Sequence, residues 1–272
     1  MPIRGAKNQV KSLEKSFRIL DCVKERNGLK LNELVDELNY SRSTVHNHLL
    51  TLMNTGFVVR ENNTYHIGLA FLHYGEYALH RKPEFKLAKE YVEELANKTS
   101  EEVDFTVPEQ GRLISVYHAV GDRQSSSLQV GSRFHMHHTA AGKAVLAEMS
   151  PDEIEEIVEY WGMPADTEHT ITSVEELQIE LDTIRKRGYA INDEELIEGF
   201  RSIGMTVHYP NERILGALSI GGPKYRIDTE PEAAHVQNLQ NTVDSFEHQI
   251  SEGLHNEENW WREFRDSPDQ DI

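Results

Sequence analysis

Cysteine is almost missing. Cys22 is the only one in 272 residues, which excludes an intramolecular disulfide framework and any cysteine-based zinc finger. Long apolar runs are missing too: none approaches the roughly 18 residues that a membrane span needs, and the opening MPIRGAKNQV lacks the apolar stretch of a secretory signal. The sequence contains no Gly-x-Gly-x-x-Gly fingerprint, phosphate loop, His-Glu-x-x-His or Gly-x-Ser-x-Gly. It therefore offers no dinucleotide site, zinc-protease site or nucleophile elbow, and no internal repeat marks a solenoid. These absences lead us to expect a soluble cytoplasmic chain of one large or two ordinary domains, with no membrane partner, no cofactor and no catalytic residues.

Positive charge is scarce overall, with 28 Lys and Arg against 46 Asp and Glu for a net charge of −18. A uniform excess of this size would argue against nucleic acid as a partner, but the excess is not uniform. Residues 1–70 carry ten basic and seven acidic side chains, while the remaining 202 carry 18 and 39. Such asymmetry suggests a DNA-facing end joined to a solvated acidic body. The acid excess also suits a salty cytoplasm, in which acidic surfaces keep a protein hydrated, and so points to a halophilic source.

The first seventy residues read as three helices and a hairpin. Val10, Leu13, Phe17, Leu20 and Val23 repeat on one helical face that stops near Asn27-Gly28. Leu31, Leu34, Val35 and Leu38 mark a second helix with Asn32 as its expected N-cap. After Asn39-Tyr40-Ser41 a third begins at Ser41 and ends at Thr55-Gly56, with Val45, Leu49, Leu52 and Met53 expected inside. Phe57–Val59 and Tyr65–Ile67 flank Glu61-Asn62-Asn63 as a hairpin. Two short helices joined by a tight turn, followed by a hairpin, make a winged helix-turn-helix. Arg42, Ser43, Thr44, His46, Asn47 and His48 lie off the apolar stripe of the third helix, and no Asp or Glu occurs from Ser41 through Phe57. An acid-free helix face suits a major groove lined by phosphates.

In order and spacing, Val10–Leu20, Leu31–Leu38, Ser43–Leu52, Gly56-Phe57-Val58 and Tyr65–Leu69 resemble the IclR family of transcriptional regulators. The expected domains are a winged helix-turn-helix over 8–68 and a linker helix over 69–82, then a body over 83–252 and an acidic tail over 253–272. The expected DNA-binding residues are Ser41, Arg42, Ser43, Thr44, His46 and Asn47 on the third helix, with Arg60 and Asn62 in the wing.

The body reads as an antiparallel α+β fold. Leu87, Ala88, Tyr91, Val92, Leu95 and Ala96 share a helix face. Val103, Phe105 and Val107 alternate before a turn at Glu109-Gln110-Gly111, and Leu113–His118 returns. Ser150-Pro151-Asp152-Glu153 and Ser173-Val174-Glu175-Glu176 read as capping boxes. Strands over Ile203–His208 and Ile214–Ile220 turn at Pro210-Asn211-Glu212, and a last helix carries Val236, Leu239, Val243, Phe246 and Ile250. Trp260-Trp261 lies in the polar tail.

Met136–Ala147, Ile184–Ala190, Asn192–Glu195 with Gly199, and Gly216–Pro223 also resemble the IclR family, in its GAF-like effector-binding domain. The resemblance implies operator DNA as one partner, a small organic or sugar-derived acid as effector, and a homodimer or homotetramer. Residue by residue it places the effector at the backbone of Ala140 and Ala141 and at Asn192, Ser202, Ser219 and Gly221. The small residues after Thr139 agree with this, because a helix start with free N–H groups receives a carboxylate. Asn192 replaces a common acid, Ser202 a cysteine and Gly221 a second serine. The last change is expected to enlarge the pocket. A competing reading takes His135, His137 and His138, with His118 nearby, as a metal site of a sensor or hydrolase. The bland alternative for these histidines is packing at a helix start.

Overall fold

The computed structural model describes residues 10–121 and 128–256, so Trp260-Trp261 and most of the acidic tail lie outside the described residues. The chain divides into two compact units, one ending at Arg81 and the other beginning at Lys82.

The N-terminal unit runs α1 (Lys11–Glu25), β1 (Leu29–Lys30), α2 (Leu31–Leu38), α3 (Arg42–Asn54), β2 (Val58–Glu61), β3 (Thr64–Ile67) and α4 (Ala70–His80). Its strands form an antiparallel sheet in the order β1-β3-β2. Ile19, Leu20, Val23, Leu34, Val45, Leu49, Leu52, Val58 and Tyr65 make the core. Two details depart from expectation. The N-cap of α2 is Lys30, whose N–H donates to Glu33 Oε2 at 2.7 Å, and Asn32 sits inside the helix. Of the expected face of α1, only Leu20 and Val23 are buried; Val10, Leu13 and Phe17 are each more than half exposed. The short α2 and α3 bury only the second half of α1; in its first half α3 meets it through His48, whose Nδ1 lies 2.7 Å from Ser16 Oγ. The wing turn follows its chemistry. Asn62 and Asn63 have φ of 47° and 71°, the left-handed pair of a two-residue hairpin turn, which asparagine tolerates better than most residues.

The second unit contains α5 (Pro83–Thr99), β4 (Glu102–Glu109), β5 (Arg112–Val120), β6 (Arg133–Phe134), α6 (Ala140–Ala147), α7 (Pro151–Trp161), α8 (Val174–Arg187), β7 (Ala190–Asp193), β8 (Phe200–His208), β9 (Ile214–Pro223) and α9 (Ala234–Asn256). Its six strands are antiparallel neighbours in the order β6-β5-β4-β9-β8-β7. Helices α5 and α9 cover one face and α6 the other, with α8 packed on α6. Phe105 shows how alternation sets the layers: fully buried, it packs its ring against Phe85 and Phe246 at 6.4 and 5.7 Å. Burying a side chain of this size contributes about 1.5–3 kcal/mol.

The cap at Ser150 is reciprocal. Its Oγ accepts from Glu153 N, and Glu153 Oε2 accepts from Ser150 N at 2.9 Å. At Ser173 only the first half forms, with Oγ accepting from Glu176 N at 3.1 Å. Helix α9 continues to Asn256, past the expected break at Gly253.

At the end of β8, His208 ties the two helical layers together. Its Nε2 lies 2.7 Å from Glu148 at the end of α6, and its Nδ1 lies 2.8 Å from Glu247 on α9. Hydrogen bonds to Glu148 and Glu247 push the His208 pKa up to about 10. Because the folded value exceeds the unfolded one of about 6.5, the stabilisation is complete below about pH 6.5 and is lost as pH rises towards 10. His208→Gln is expected to remove about 1–2 kcal/mol at pH 6, after allowance for solvent screening, and nothing at pH 10.5. Thermal melts across this range check it, and a constant gap between the two proteins would contradict the assignment.

Candidate functional site

Two concave features stand out, one in each unit. In the first, α2, the start of α3 and the wing enclose a groove lined by Lys30, Leu31, Asn32, Arg42, Ser43, His46, Asn47, Arg60, Asn63 and Tyr65. Three of these are cations and none is an acid. Arg42 Nη1 donates to Asn32 Oδ1 and Arg60 Nη2 to Asn63 Oδ1, so asparagines hold both guanidinium groups in place without neutralising them.

Five of the eight residues expected to bind DNA line this groove: Arg42, Ser43, His46, Asn47 and Arg60. The other three stand apart from it. Ser41 is the N-cap of α3, its Oγ accepting from Thr44 N at 3.2 Å and lying 2.8 Å from Thr44 Oγ1. Both hydroxyls are thus engaged in the cap. Asn62 sits at the wing tip. Lys30 escaped the sequence reading because β1 is only two residues long and leaves no periodic signal, while Asn32, Asn63 and Tyr65 were read only for structural parts, as a cap, a turn residue and a strand residue.

The second feature is a cavity between the sheet and α6, enclosing about 520 Å³ of space not filled by protein, its mouth included. Its position follows from the sheet register. His118, Asp104, Ser219 and Gly204 form one cross-strand row, and Glu102, Gly221, Ser202 and Asn192 form the next. Gly204 has no side chain because α6 rests on it: a Cβ there would lie 2.7 Å from Ala140 C and Ala141 N. The first turn of α6 is therefore seated on the sheet backbone beside Ser219. Thr139 Oγ1 caps it by accepting from Gly142 N at 3.0 Å. The N–H groups of Ala140 and Ala141 are left without an intrahelical partner, as the first N–H groups of any helix are.

All six expected effector residues, Ala140, Ala141, Asn192, Ser202, Ser219 and Gly221, line this one cavity. Asn192 is fully buried, and its Oδ1 accepts from Glu195 N at 2.9 Å, fixing the loop after β7. Gly221 departs from expectation. The space left by its missing side chain holds the Phe200 ring, whose Cζ would lie 2.6 Å from a Cβ at that position. The pocket is not enlarged there.

Glu102, Asp104, Thr106 and His118 also line the cavity and were not expected. Their signal was present in the alternation of β4. Val103, Phe105 and Val107 face α5 and α9, so the intervening residues face the other side. That side is not solvent but α6, which leaves Asp104 and Thr106 buried.

The histidine cluster is packed. The His137 and His138 rings stack 4.6 Å apart within 6° of parallel, so their nitrogens do not converge. His137 Nε2 lies 3.1 Å from Pro164 O, His138 Nδ1 2.8 Å from Asp166 Oδ2, and Arg112 Nη1 3.1 Å from His135 Nε2. Burial, reinforced by the neighbouring histidines, pushes the His138 pKa down to about 3. Among the described residues no group of three His, Cys, Asp or Glu is arranged to hold a metal ion. His118 belongs to the cavity lining and the other three do not.

Residues 12–62 match the IclR helix-turn-helix domain, and residues 77–248 match the C-terminal region of bacterial IclR transcriptional regulators. The chain belongs to the IclR family. It is 30% identical over 245 residues to the "Probable HTH-type transcriptional regulator ArcR" of Halobacterium salinarum, covering 86% of this chain and 91% of that protein. The Thermotoga maritima IclR crystal structure superimposes with a TM-score of 0.72 at 26% identity, over 89% of this chain and 99% of that one. An IclR homologue from Microbacterium hydrocarbonoxydans, complexed with 4-hydroxybenzoate, shares the fold at a TM-score of 0.72 and 19% identity, over 88% of this chain and 98% of that one. The chain is accordingly a transcriptional regulator, with a DNA-binding helix-turn-helix and a C-terminal effector-binding domain, and not an enzyme. No described helix is long and apolar enough to cross a membrane.

In this IclR-family regulator the seating of α6 on Gly204 is a backbone-to-backbone contact, which cannot yield as a side chain would. Gly204→Ala is expected to lower stability by about 1–3 kcal/mol. Denaturant unfolding measures it, and wild-type stability in the variant would mean that α6 does not approach β8 this closely.

Proposed function

We propose that α3 enters the major groove of operator DNA, with His46 and Asn47 at base edges and Arg42 and Ser43 at phosphate or guanine. In this reading Ser41 and Thr44 position the helix start. Arg60, Asn62 and Asn63 of the wing reach the backbone or the minor groove, and Lys30 adds a phosphate contact. One observation carries this reading: three lysine or arginine side chains and six other polar side chains line a single groove that holds no acid, in a chain of net charge −18. The protein acts as a homodimer or homotetramer on a pseudo-palindromic operator in the cytoplasm. Val10 at the cap of α1 and Leu13 and Phe17 on it, together with Leu72 and Tyr77 on α4, leave apolar surface exposed on the N-terminal unit, which supports a second copy as a partner.

Asn47→Ala is expected to weaken operator binding by about 1–3 kcal/mol while leaving binding to random DNA nearly unchanged. Fluorescence anisotropy on both DNAs checks this. An equal loss on both would reduce Asn47 to a backbone contact, and no loss on either would remove the docking.

The effector, in the same proposal, is a small organic or sugar-derived acid held in the cavity, its carboxylate on the free N–H groups of Ala140 and Ala141 and on the Ser219 hydroxyl. Asn192, Ser202 and Gly221 complete the wall. That a protein of this fold is complexed with 4-hydroxybenzoate, itself an acid, is in keeping with this. Ser219→Ala is expected to weaken the bound acid about tenfold in calorimetry, about 1.4 kcal/mol, without lowering the melting temperature. A ligand that binds the variant as well as the wild type would put the site elsewhere.

A further inference from the structure

Opposite the α6 end, the cavity has a second polar wall that the family match did not supply. Asp104 on β4 and His118 on β5 are cross-strand partners, and both line the cavity. Asp104 is buried, with Oδ1 accepting from Ser115 Oγ at 2.6 Å. Both ring nitrogens of His118 are buried, and neither has a hydrogen-bond partner among the described residues. An imidazole buried in this way carries a desolvation cost that a bound partner recovers.

Polarity and spacing then limit what fits. Among the described residues no lysine or arginine lines the cavity, whereas Glu102 lies two residues from Asp104 on the same strand face. Burial, against the Ser115 bond and with help from the Glu102 charge, pushes the Asp104 pKa up to about 7. A carboxyl poised in this way gains most from a positively charged neighbour. Across the cavity the first turn of α6 presents free N–H groups, which favour a negative one. Strands β4 and β8, which carry Asp104 and the Gly204 seat of α6, are separated by β9 alone, a distance of ~9–10 Å. Two hydrogen bonds of about 2.9 Å each leave about 4 Å between the charged ends of a ligand, the span of a compact zwitterion.

We propose that the effector is an α-amino acid, its carboxylate on the N–H groups of Ala140 and Ala141 and its ammonium on Asp104, with His118 accepting a second ammonium N–H. This rests on the reading of the cavity as the effector site. Asp104 becomes the residue that distinguishes an amino acid from the 2-hydroxy or 2-oxo acid of the same carbon skeleton, neither of which carries the ammonium.

The test is calorimetry on the full-length protein with the twenty protein amino acids, with lactate, pyruvate, 2-hydroxyglutarate and 2-oxoglutarate, and with the hydroxy and oxo counterparts of whichever amino acid binds. The expected result is one or more amino acids binding at least tenfold more tightly than their counterparts, a preference that Asp104→Asn reduces to threefold or less. Should Asp104→Asn fail to fold, the matched-ligand comparison on the wild type decides alone. Absence of any amino-acid binding, equal or tighter binding of the counterpart, or a preference retained in folded Asp104→Asn would overturn the proposal. A hydroxy or oxo acid that binds the wild type more tightly but is lost in Ser219→Ala would overturn it while leaving the effector site in place. A ligand indifferent to both substitutions would remove the site as well.

Discussion

The effector-binding unit depends on one close approach, the first turn of α6 resting on Gly204 half-way along β8. That contact brings helix backbone within touching distance of strand backbone, which only small residues allow. It explains why Thr139–Ala147 is almost devoid of large side chains until Val145 and Leu146, and why every residue of α6 is buried. It also creates the cavity, because the sheet continues on both sides of the seat while the helix does not. Even the buried Lys143 follows from it. A cation drawn inside with α6 must be matched, and Glu195 and Glu180 do so, since a buried charge without a partner is strongly unfavourable.

The N-terminal unit is organised by a different constraint, charge. A chain with a large acidic excess keeps the groove of this unit free of acid, and the guanidinium groups of Arg42 and Arg60 in it are held by asparagine rather than by carboxylates. Pairing Arg42 or Arg60 with an acid would have fixed their positions equally well but would have removed the charge that a phosphate requires. Neutral partners keep both properties.

Much of this was legible in the sequence where signals are local. The wing turn rests on two adjacent asparagines, the Ser150 cap on residues three apart, and the buried face of α3 on a 3.6-residue period. What escaped depended on distant parts of the chain. The face of β4 bearing Glu102 and Asp104 looks like the solvent side of a hairpin until α6, some forty residues later, is laid over it. The room expected at Gly221 vanished because Phe200, on a neighbouring strand, fills it. Val10, Leu13 and Phe17 fit a buried stripe by period, yet the short α2 and α3 do not bury them. Periodicity says which residues share a face, not what covers it.

The strand order has a consequence for how the chain is made. β4 is central in the sheet, with β5 following it after two residues and β9 following more than a hundred residues later. The helix α9 that covers Phe105 comes later still. During synthesis the N-terminal unit, which ends at Arg81, has all the residues of its own fold long before the second unit does. The β4–β5 hairpin has α5 from the start, but one edge and the part of its apolar face that α9 covers must wait until nearly the whole polypeptide has left the ribosome. Such non-local pairing is slow and leaves strands open to wrong partners. On a nascent chain of this kind, the acidic side chains spread through residues 71–272 do more than solvate the finished surface: they keep unfinished copies apart.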